Sequence, residues 1–267
     1  MNFKPVYIEA RDLDDCYFQL LSELYHKGRK YLITEGSYKG AYRLAFDDIA
    51  GFIKYPHQRP LAPIMPEGIP TPTNDEDIEK YFIEYLMDGT IKDNEDYKYS
   101  IFLKGGRYHP PELKCIRKNE DYVLDMNHIW DKPIDILVPD QIQFCIDHFK
   151  KAGFGNEHNY ITIGYPESLF AYNIPYTNEQ ERKTSPCLRG IDLRIIEDNG
   201  INYLLMKIIY RSWSLFSGWP VNMGGFTLLS EFISEQLNIT PGPLSFTCKS
   251  LHAYDFELEV LKQRLGK

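Results

Sequence analysis

Positive charge is in short supply in this 267-residue chain: 30 lysines and arginines stand against 38 aspartates and glutamates, a formal net charge of −8. That balance excludes a protein whose main task is neutralising a phosphate backbone, which needs a clustered basic surface. Nucleic acid is therefore not expected as the main substrate, and an anionic partner would be small and locally held. Long hydrophobic runs are also missing. Nowhere do the roughly 18 uninterrupted apolar residues of a membrane span occur, and the opening Met1-Asn2-Phe3-Lys4-Pro5-Val6-Tyr7 has no apolar stretch of signal-peptide length. The expectation is a cytoplasmic chain that makes no use of a membrane. Cysteine is sparse, with five residues at 16, 115, 145, 187 and 248, widely spaced and without any Cys-x-x-Cys. This argues against a disulfide framework and against a zinc site. What is present is 43% hydrophobic content, enough to bury a substantial core in one domain spanning 1–267.

The chain reads as mixed α and β without a regular βαβ repeat. Leu13, Phe18, Leu20, Leu21, Leu24 and Tyr25 recur near helical spacing and predict an amphipathic helix within residues 8–32, with Gly28 as its stop. Six prolines between Pro56 and Pro72 exclude a central strand or a continuous helix there. That stretch is a stiffened loop, either a surface crossover or an active-site lid. Ile78, Tyr81, Phe82, Tyr85 and Leu86 predict a helix over 75–88, capped by Asn74 or Asp75, with Glu84 on or near its inner edge. Residues 91–138 show no clean period and are assigned irregular structure and short strands. Pro139 and Asp140 open a helix through Ile142, Cys145, Ile146 and Phe149 that Gly153 closes, which makes Cys145 a core residue. Strands are predicted at Tyr160–Ile163 and through Ile191, Leu193 and Ile195, and Asp198-Asn199-Gly200 is a hairpin turn. The return strand, 201–210, is apolar nearly throughout, as for a strand covered on both faces. A loop through Gly218 and Pro220, a helix carrying Phe226, Leu229, Phe232, Ile233 and Leu237, a break at Pro241-Gly242-Pro243, a strand with Leu244, Phe246 and Cys248 on one face, and a last helix complete the chain.

Chemistry-bearing residues concentrate between Pro186 and Tyr254. Cys187 follows Ser185-Pro186 and immediately precedes a strand, where a loop can present a thiol at a sheet edge. A lone cysteine is more often structural, but a guanidinium nearby favours the reactive thiolate, and Arg189 and Arg211 are candidates. Arg211 ends an apolar strand, a place where a charge needs a partner such as a bound phosphate or a structural acid. Asn222 lies in Gly218-Trp219-Pro220-Val221-Asn222-Met223-Gly224-Gly225, read as a loop entering a helix. Its amide offers a donor and an acceptor side by side, the array that matches a uracil edge, although alone it would be taken for a helix cap. His252 and Tyr254 are two apart, so on a strand both share one face and could clamp a sugar hydroxyl together.

The ordered set Pro186-Cys187, Arg211-Ser212, Gly218-x-Pro220-x-Asn222 and His252-x-Tyr254 resembles thymidylate synthase, most closely its archaeal-type branch. The likeness covers about a quarter of the chain strongly. Upstream it thins to Tyr85-Leu86, Asn94-Glu95-Asp96-Tyr97-Lys98-Tyr99 and the Asp140-Gln141-Ile142 helix. The resemblance implies a large mixed sheet with flanking helices whose sheets pack back to back in a homodimer. It implies that Cys187 adds covalently to C6 of a pyrimidine nucleotide monophosphate, so that C5 attacks the one-carbon unit of 5,10-methylenetetrahydrofolate. Arg211 would hold the 5′-phosphate and help keep Cys187 ionised, Ser212 would bind the substrate beside it, Asn222 would read the pyrimidine edge, and His252 with Tyr254 would hold the ribose 3′-hydroxyl. Glu84 would be the general acid/base, working through ordered water. Tyr99, Ser214 and Trp219 would lie on the folate side.

The chain departs from the family in three places. The pterin-anchoring aspartate of Arg-Ser-x-Asp is Ser214, and the Tyr-Gly-x-Arg pattern becomes Tyr99-Ser100-Ile101-Phe102. The paired arginines that one subunit lends its partner are missing near Glu157-His158-Asn159, leaving Lys39, Arg43 or Arg189 to rebuild the phosphate contacts. Asn222 favours dUMP over a cytidine nucleotide. A pyrimidine nucleotide hydroxymethylase, in which water captures the exocyclic methylene, is the first alternative, with Trp130, Trp213 and Trp219 as possible shields against that water. A non-catalytic nucleotide-binding homologue is the second, and the retained Cys187 argues against it.

Overall fold

The structure, a computed structural model, describes residues 3–34, 38–88, 98–108, 114–118, 121–125, 136–164 and 186–266. It opens with strand β1 (Pro5–Ala10), helix α1 (Leu13–Lys27), β2 (Arg29–Leu32), β3 (Tyr42–Ala45) and β4 (Asp48–Ile53). Helix α2 (Asp75–Tyr81) runs on as a π-helical turn over Phe82–Met87, followed by α3 (Tyr99–Leu103). The short strands β5 (Gly106–Tyr108), β6 (Lys114–Lys118), β7 (Asp121–Asp125) and β8 (Ile136–Val138) lead to α4 (Gln141–Ala152) and β9 (Tyr160–Thr162). The rest comprises β10 (Leu188–Asp198), β11 (Ile201–Tyr210), β12 (Trp213–Ser214), α5 (Trp219–Leu237), β13 (Thr240–Cys248), β14 (Leu251–Tyr254) and α6 (Leu258–Arg264). The mixed α/β class read from the sequence is what the chain adopts. Asn94 to Tyr97, Trp130 and Ser185 lie outside the described residues.

The central sheet has the order β1-β4-β13-β11-β10-β9, with parallel pairs β1/β4 and β11/β13 and antiparallel pairs elsewhere. One face is apolar in every long strand. Val6 and Ile8, Ile49 and Ile53, Leu244 and Phe246, Leu204 and Met206, and Leu193 and Ile195 all bury there. The stripe Leu13, Cys16, Tyr17, Leu20, Leu21 and Leu24 of α1 belongs to the same core, as do Ile142, Cys145, Ile146 and Phe149 of α4 and Phe226, Leu229 and Ile233 of α5. A second sheet has the order β12-β14-β3-β2 and carries Ser214, His252, Tyr254 and Arg43.

Several local signals fold as their chemistry dictates. Asp140 caps α4 by accepting from the Gln143 N–H at 2.9 Å, and Gly153 closes it at φ 82°. Asn199 and Gly200 both take positive φ, 53° and 80°, the demand of a two-residue hairpin turn between β10 and β11. Other expectations need correction, although the first helix does stop at Gly28 within the 8–32 window, after residues 5–10 have formed β1. Phe18 and Tyr25 fall on its solvent side. Pro241-Gly242-Pro243 does not break a strand but forms a bulge inside β13, where the register slips between Leu204 and Met206 of β11. A Cβ on Gly242 would meet the Leu204 carbonyl at 2.6 Å, so only glycine lets the bulge sit there. The second face of β11 is half-exposed, not covered.

The proline-rich stretch carries no helix or strand, and its side chains and amides pin it to three helices. Arg59 grips Glu231 of α5 through two 2.8 Å hydrogen bonds, and His57 meets the same carboxylate at 3.2 Å. The Ala62 N–H donates to Asp75 at 2.8 Å and the Ile64 N–H to Asp14 at 2.9 Å. Burial alone would raise the Glu231 carboxyl. The hydrogen bonds from His57 and Arg59 outweigh it and bring the group down from 4.5 to about 2. A depressed carboxylate stabilises the fold above its unfolded pKa and loses that contribution as pH falls through the folded one. Urea unfolding should therefore show Glu231→Gln less stable than the wild type at pH 6, with the gap closing between about pH 4.5 and 2. A gap independent of pH would show that the carboxylate charge is not what holds the loop.

Candidate functional site

The segment from Tyr210 to Leu215 is the spine on which the candidates meet. At its start the Arg211 N–H donates to the Cys187 carbonyl at 3.0 Å, and Arg211 Nε donates to the Pro186 carbonyl at 3.1 Å, so the arginine folds back over the cysteine turn. In its middle, Trp213 Nε1 donates to Asn222 Oδ1 at 2.8 Å. At its end, Ser214 lies beside His252 in the β12/β14 pair, and the Leu215 N–H donates to the His252 carbonyl at 2.6 Å. Residues distant in sequence are thus held by one six-residue stretch.

Cys187 sits where the sequence reading put it, one residue ahead of β10, and it is half-buried. Cys16, Cys145 and Cys248 are by contrast buried, and burial pushes the thiols of Cys145 and Cys248 up to about 11 and about 12. Burial is also the first reason that Tyr99, Tyr210 and Tyr254 resist ionisation, and a negative charge at Cys187 adds to it in each case. These three tyrosines, with Cys248, are therefore electrostatic neighbours of the thiol.

On β14, His252 is 3% exposed and Tyr254 half-buried, with ring centroids 5.0 Å apart on the face that both residues share. His252 Nδ1 lies 3.0 Å from the Ser250 carbonyl, which can only accept, so Nδ1 carries the proton and Nε2 the lone pair. Burial pulls the imidazole down to about 4, with Arg43 reinforcing it against the Ser250 contact, so the ring is neutral at pH 7. Arg43 stands opposite Tyr254 across the β3/β14 ladder. Among the described residues, Arg43 Nε and His252 Nε2 are both buried without a hydrogen-bond partner. A donor, an acceptor and the Tyr254 hydroxyl on one face suit a ligand hydroxyl, which needs to give one hydrogen bond and receive another. Of the three basic candidates named for rebuilt phosphate contacts, Lys39 is exposed at a turn and Arg189 is half-buried on β10, while Arg43 faces this pair.

Asn222 does not lie in a loop. It occupies the first turn of α5, which begins at Trp219 with Pro220 just inside its start, a position proline tolerates because the first N–H groups have no helical partner. Gly224 and Gly225 look like loop residues but are contact points. A Cβ on Gly224 would meet Ile78 at 2.7 Å and one on Gly225 would meet Tyr81 at 2.5 Å. Their absence of side chains lets α2 press directly on α5. Glu84 is half-buried on the π-helical turn that continues α2, a backbone irregularity frequent at functional sites. Ser212 is half-buried beside Arg211, and Ser214 Oγ lies 3.0 Å from Ser217 Oγ. Tyr99 accepts from the Leu188 N–H at 3.4 Å. Trp219 is 1% exposed and packs against Tyr17, Phe246 and Trp213, which makes it a core side chain with no ring face open to a cofactor. The sequence reading missed Tyr210, whose only signal was its place at the end of a strand, and the role of Trp213 towards Asn222.

Among the described residues no helix is long and apolar enough to cross a membrane, and no group of three His, Cys, Asp or Glu side chains could hold a metal. No family model matches the chain. It is similar over 259 residues, at 21% identity, to a Methanosarcina mazei protein named "Putative thymidylate synthase", covering 96% of this chain and 92% of the relative. A Methanosarcina acetivorans protein of the same name is 20% identical over 257 residues, with the same coverage. A Mesoplasma florum thymidylate synthase is 22% identical over 193 residues, 69% of this chain and 62% of the relative. Likeness over nearly the whole chain, beyond the quarter where the motifs lie, supports a thymidylate synthase-like protein.

Proposed function

We propose that this chain is a thymidylate synthase-type one-carbon transferase acting at C5 of a pyrimidine nucleotide monophosphate, with dUMP the favoured substrate. The observation that carries the reading is the Tyr210–Leu215 spine, which joins Cys187, Arg211, Asn222 and His252 through main-chain and side-chain contacts. The Cys187 sulfur bonds to C6 of the base, the C5–C6 electron pair moves to C5, and C5 becomes the nucleophile. After transfer, the C5 proton leaves and the C6–S bond breaks, returning the thiolate. Glu84, through an ordered water, is the group assigned to move that proton. Arg211 and Ser212 hold the 5′-phosphate, and His252, Tyr254 and Arg43 hold a sugar hydroxyl. The exposed or half-exposed Tyr7, Phe52, Ile196 and Leu205, on the sheet face away from the helices, support a sheet-to-sheet homodimer.

The one-carbon donor assigned is 5,10-methylenetetrahydrofolate, which when bound supplies a carbon at the formaldehyde level and the hydride that takes it to methyl. Ser214 and Ser217 offer it a pair of hydroxyls beside His252, a donor set that fits a pteridine N–H in hydrogen-bonding capacity but brings no charge. Tyr99 is assigned to the cofactor with them. Because a charged acceptor makes a stronger bond than a neutral one by about 1–1.5 kcal/mol, Ser214→Asp should tighten folate binding to the nucleotide-loaded protein by roughly tenfold. Calorimetry with tetrahydrofolate checks it, and unchanged or weaker binding would move the pterin away from Ser214.

The deciding experiment incubates the protein with methylenetetrahydrofolate and dUMP, or separately dCMP, and follows the nucleotide mass. A methyl gain on dUMP is the expected result. A hydroxymethyl gain would assign the hydroxymethylase activity instead, and nucleotide binding without turnover would leave a binding homologue.

A further inference from the structure

The orientation of Asn222 is dictated by its neighbours. An indole N–H can only donate, so the atom 2.8 Å from Trp213 Nε1 has to be the amide oxygen, which removes the usual ambiguity between asparagine oxygen and nitrogen. The Tyr210 hydroxyl lies 3.4 Å from the same oxygen. An amide oxygen can only accept, so the Tyr210 hydroxyl is the donor in that contact. Both lone pairs of that oxygen are then filled. Trp213 cannot swing away, being 3% exposed and stacked on Tyr210 with centroids 3.9 Å apart and 7° between the ring planes.

What Asn222 has left for a ligand is its NH₂ group alone. This differs from the donor-plus-acceptor edge that an unconstrained asparagine offers. We infer that Trp213 is a positioning residue that sets base specificity: by fixing Asn222 as a pure donor, it makes the site a reader of a carbonyl at ring position 4 and an opponent of an exocyclic amine there. The inference rests on the nucleotide site proposed above. A 4-keto pyrimidine such as uracil accepts from the amide, whereas the 4-amino group of cytosine would set donor against donor. Without the indole N–H, the amide can rotate and present its oxygen to that amine.

The test measures dUMP and dCMP affinities by calorimetry, with no folate present, for the wild type, Trp213→Phe, and a protein carrying benzothienylalanine at 213. The last keeps the bicyclic shape and lacks the N–H, so it separates loss of the hydrogen bond from loss of packing if Trp213→Phe folds poorly. Sugar and phosphate are the same in both nucleotides, so the affinity ratio cancels general damage to the site. The expected result is a wild type that prefers dUMP and a preference that falls by roughly tenfold or more in the N–H-free protein. A wild-type preference for dCMP, or an unchanged ratio in the benzothienyl protein, would overturn the role of Trp213 while leaving the nucleotide site standing. Binding of neither nucleotide by the wild type would overturn the nucleotide reading itself.

Discussion

Replacing Cys187 with alanine should lower nucleotide turnover by roughly 10⁴-fold or more, the scale of losing a covalent nucleophile. Stability should change by no more than about 1 kcal/mol, because the side chain is half-buried at a strand entrance and not set in the core. The contrast with three buried cysteines sharpens the test. Cys16, Cys145 and Cys248 are buried, and each thiol is pushed up by burial. Their alanine variants should lose stability and keep the turnover number of whatever protein folds. Alkylation at neutral pH followed by peptide mapping should mark Cys187 ahead of these three, and bound dUMP should protect it. Full activity in Cys187→Ala would remove the covalent mechanism, and with it the main reason for assigning an enzyme to this chain.

The parts legible in the sequence are those where a local rule decides. The α4 helix was readable because Asp140, the Ile142-Cys145-Ile146-Phe149 spacing and Gly153 all say the same thing within one stretch. The β10/β11 turn was readable because Asn199-Gly200 is one of the few pairs that accepts positive φ twice. Illegible parts depend on contacts made from elsewhere in the chain. Trp219 to Gly225 reads as a loop by composition, with a proline and two glycines in seven residues. It is helix because Ile78 and Tyr81 press where those glycines have no side chain. The bulge at Gly242 is set by the backbone of β11. The site divides in the same way. Cys187, His252 and Tyr254 declare themselves by residue type and place beside a strand. The orientation of Asn222 is fixed by Trp213 and Tyr210, and the placing of Arg43 by a strand pairing more than 200 residues long in sequence separation, read from the Tyr254–Arg43 register.

Removing the Trp219 ring should have the largest effect on stability of any substitution near the site. Trp219→Ala deletes a bicyclic side chain that is 1% exposed, stacked on Tyr17 with centroids 5.9 Å apart and edge-on to Phe246 at 5.9 Å. The cost is lost transfer energy plus the cavity left behind, about 3–5 kcal/mol for a large aromatic replaced by alanine. Urea unfolding at pH 7 measures it, and Trp219→Phe should recover much of the loss by refilling part of the space. The same variant decides between two roles for this ring. A tryptophan at the cofactor surface would cost little stability and weaken folate binding alone. A core tryptophan would destabilise the whole protein and weaken nucleotide binding too, because its ring buttresses Trp213 at 6.3 Å and Trp213 holds Asn222. The packing favours the second outcome. A stability loss under about 1 kcal/mol with intact dUMP affinity would return Trp219 to the ligand surface.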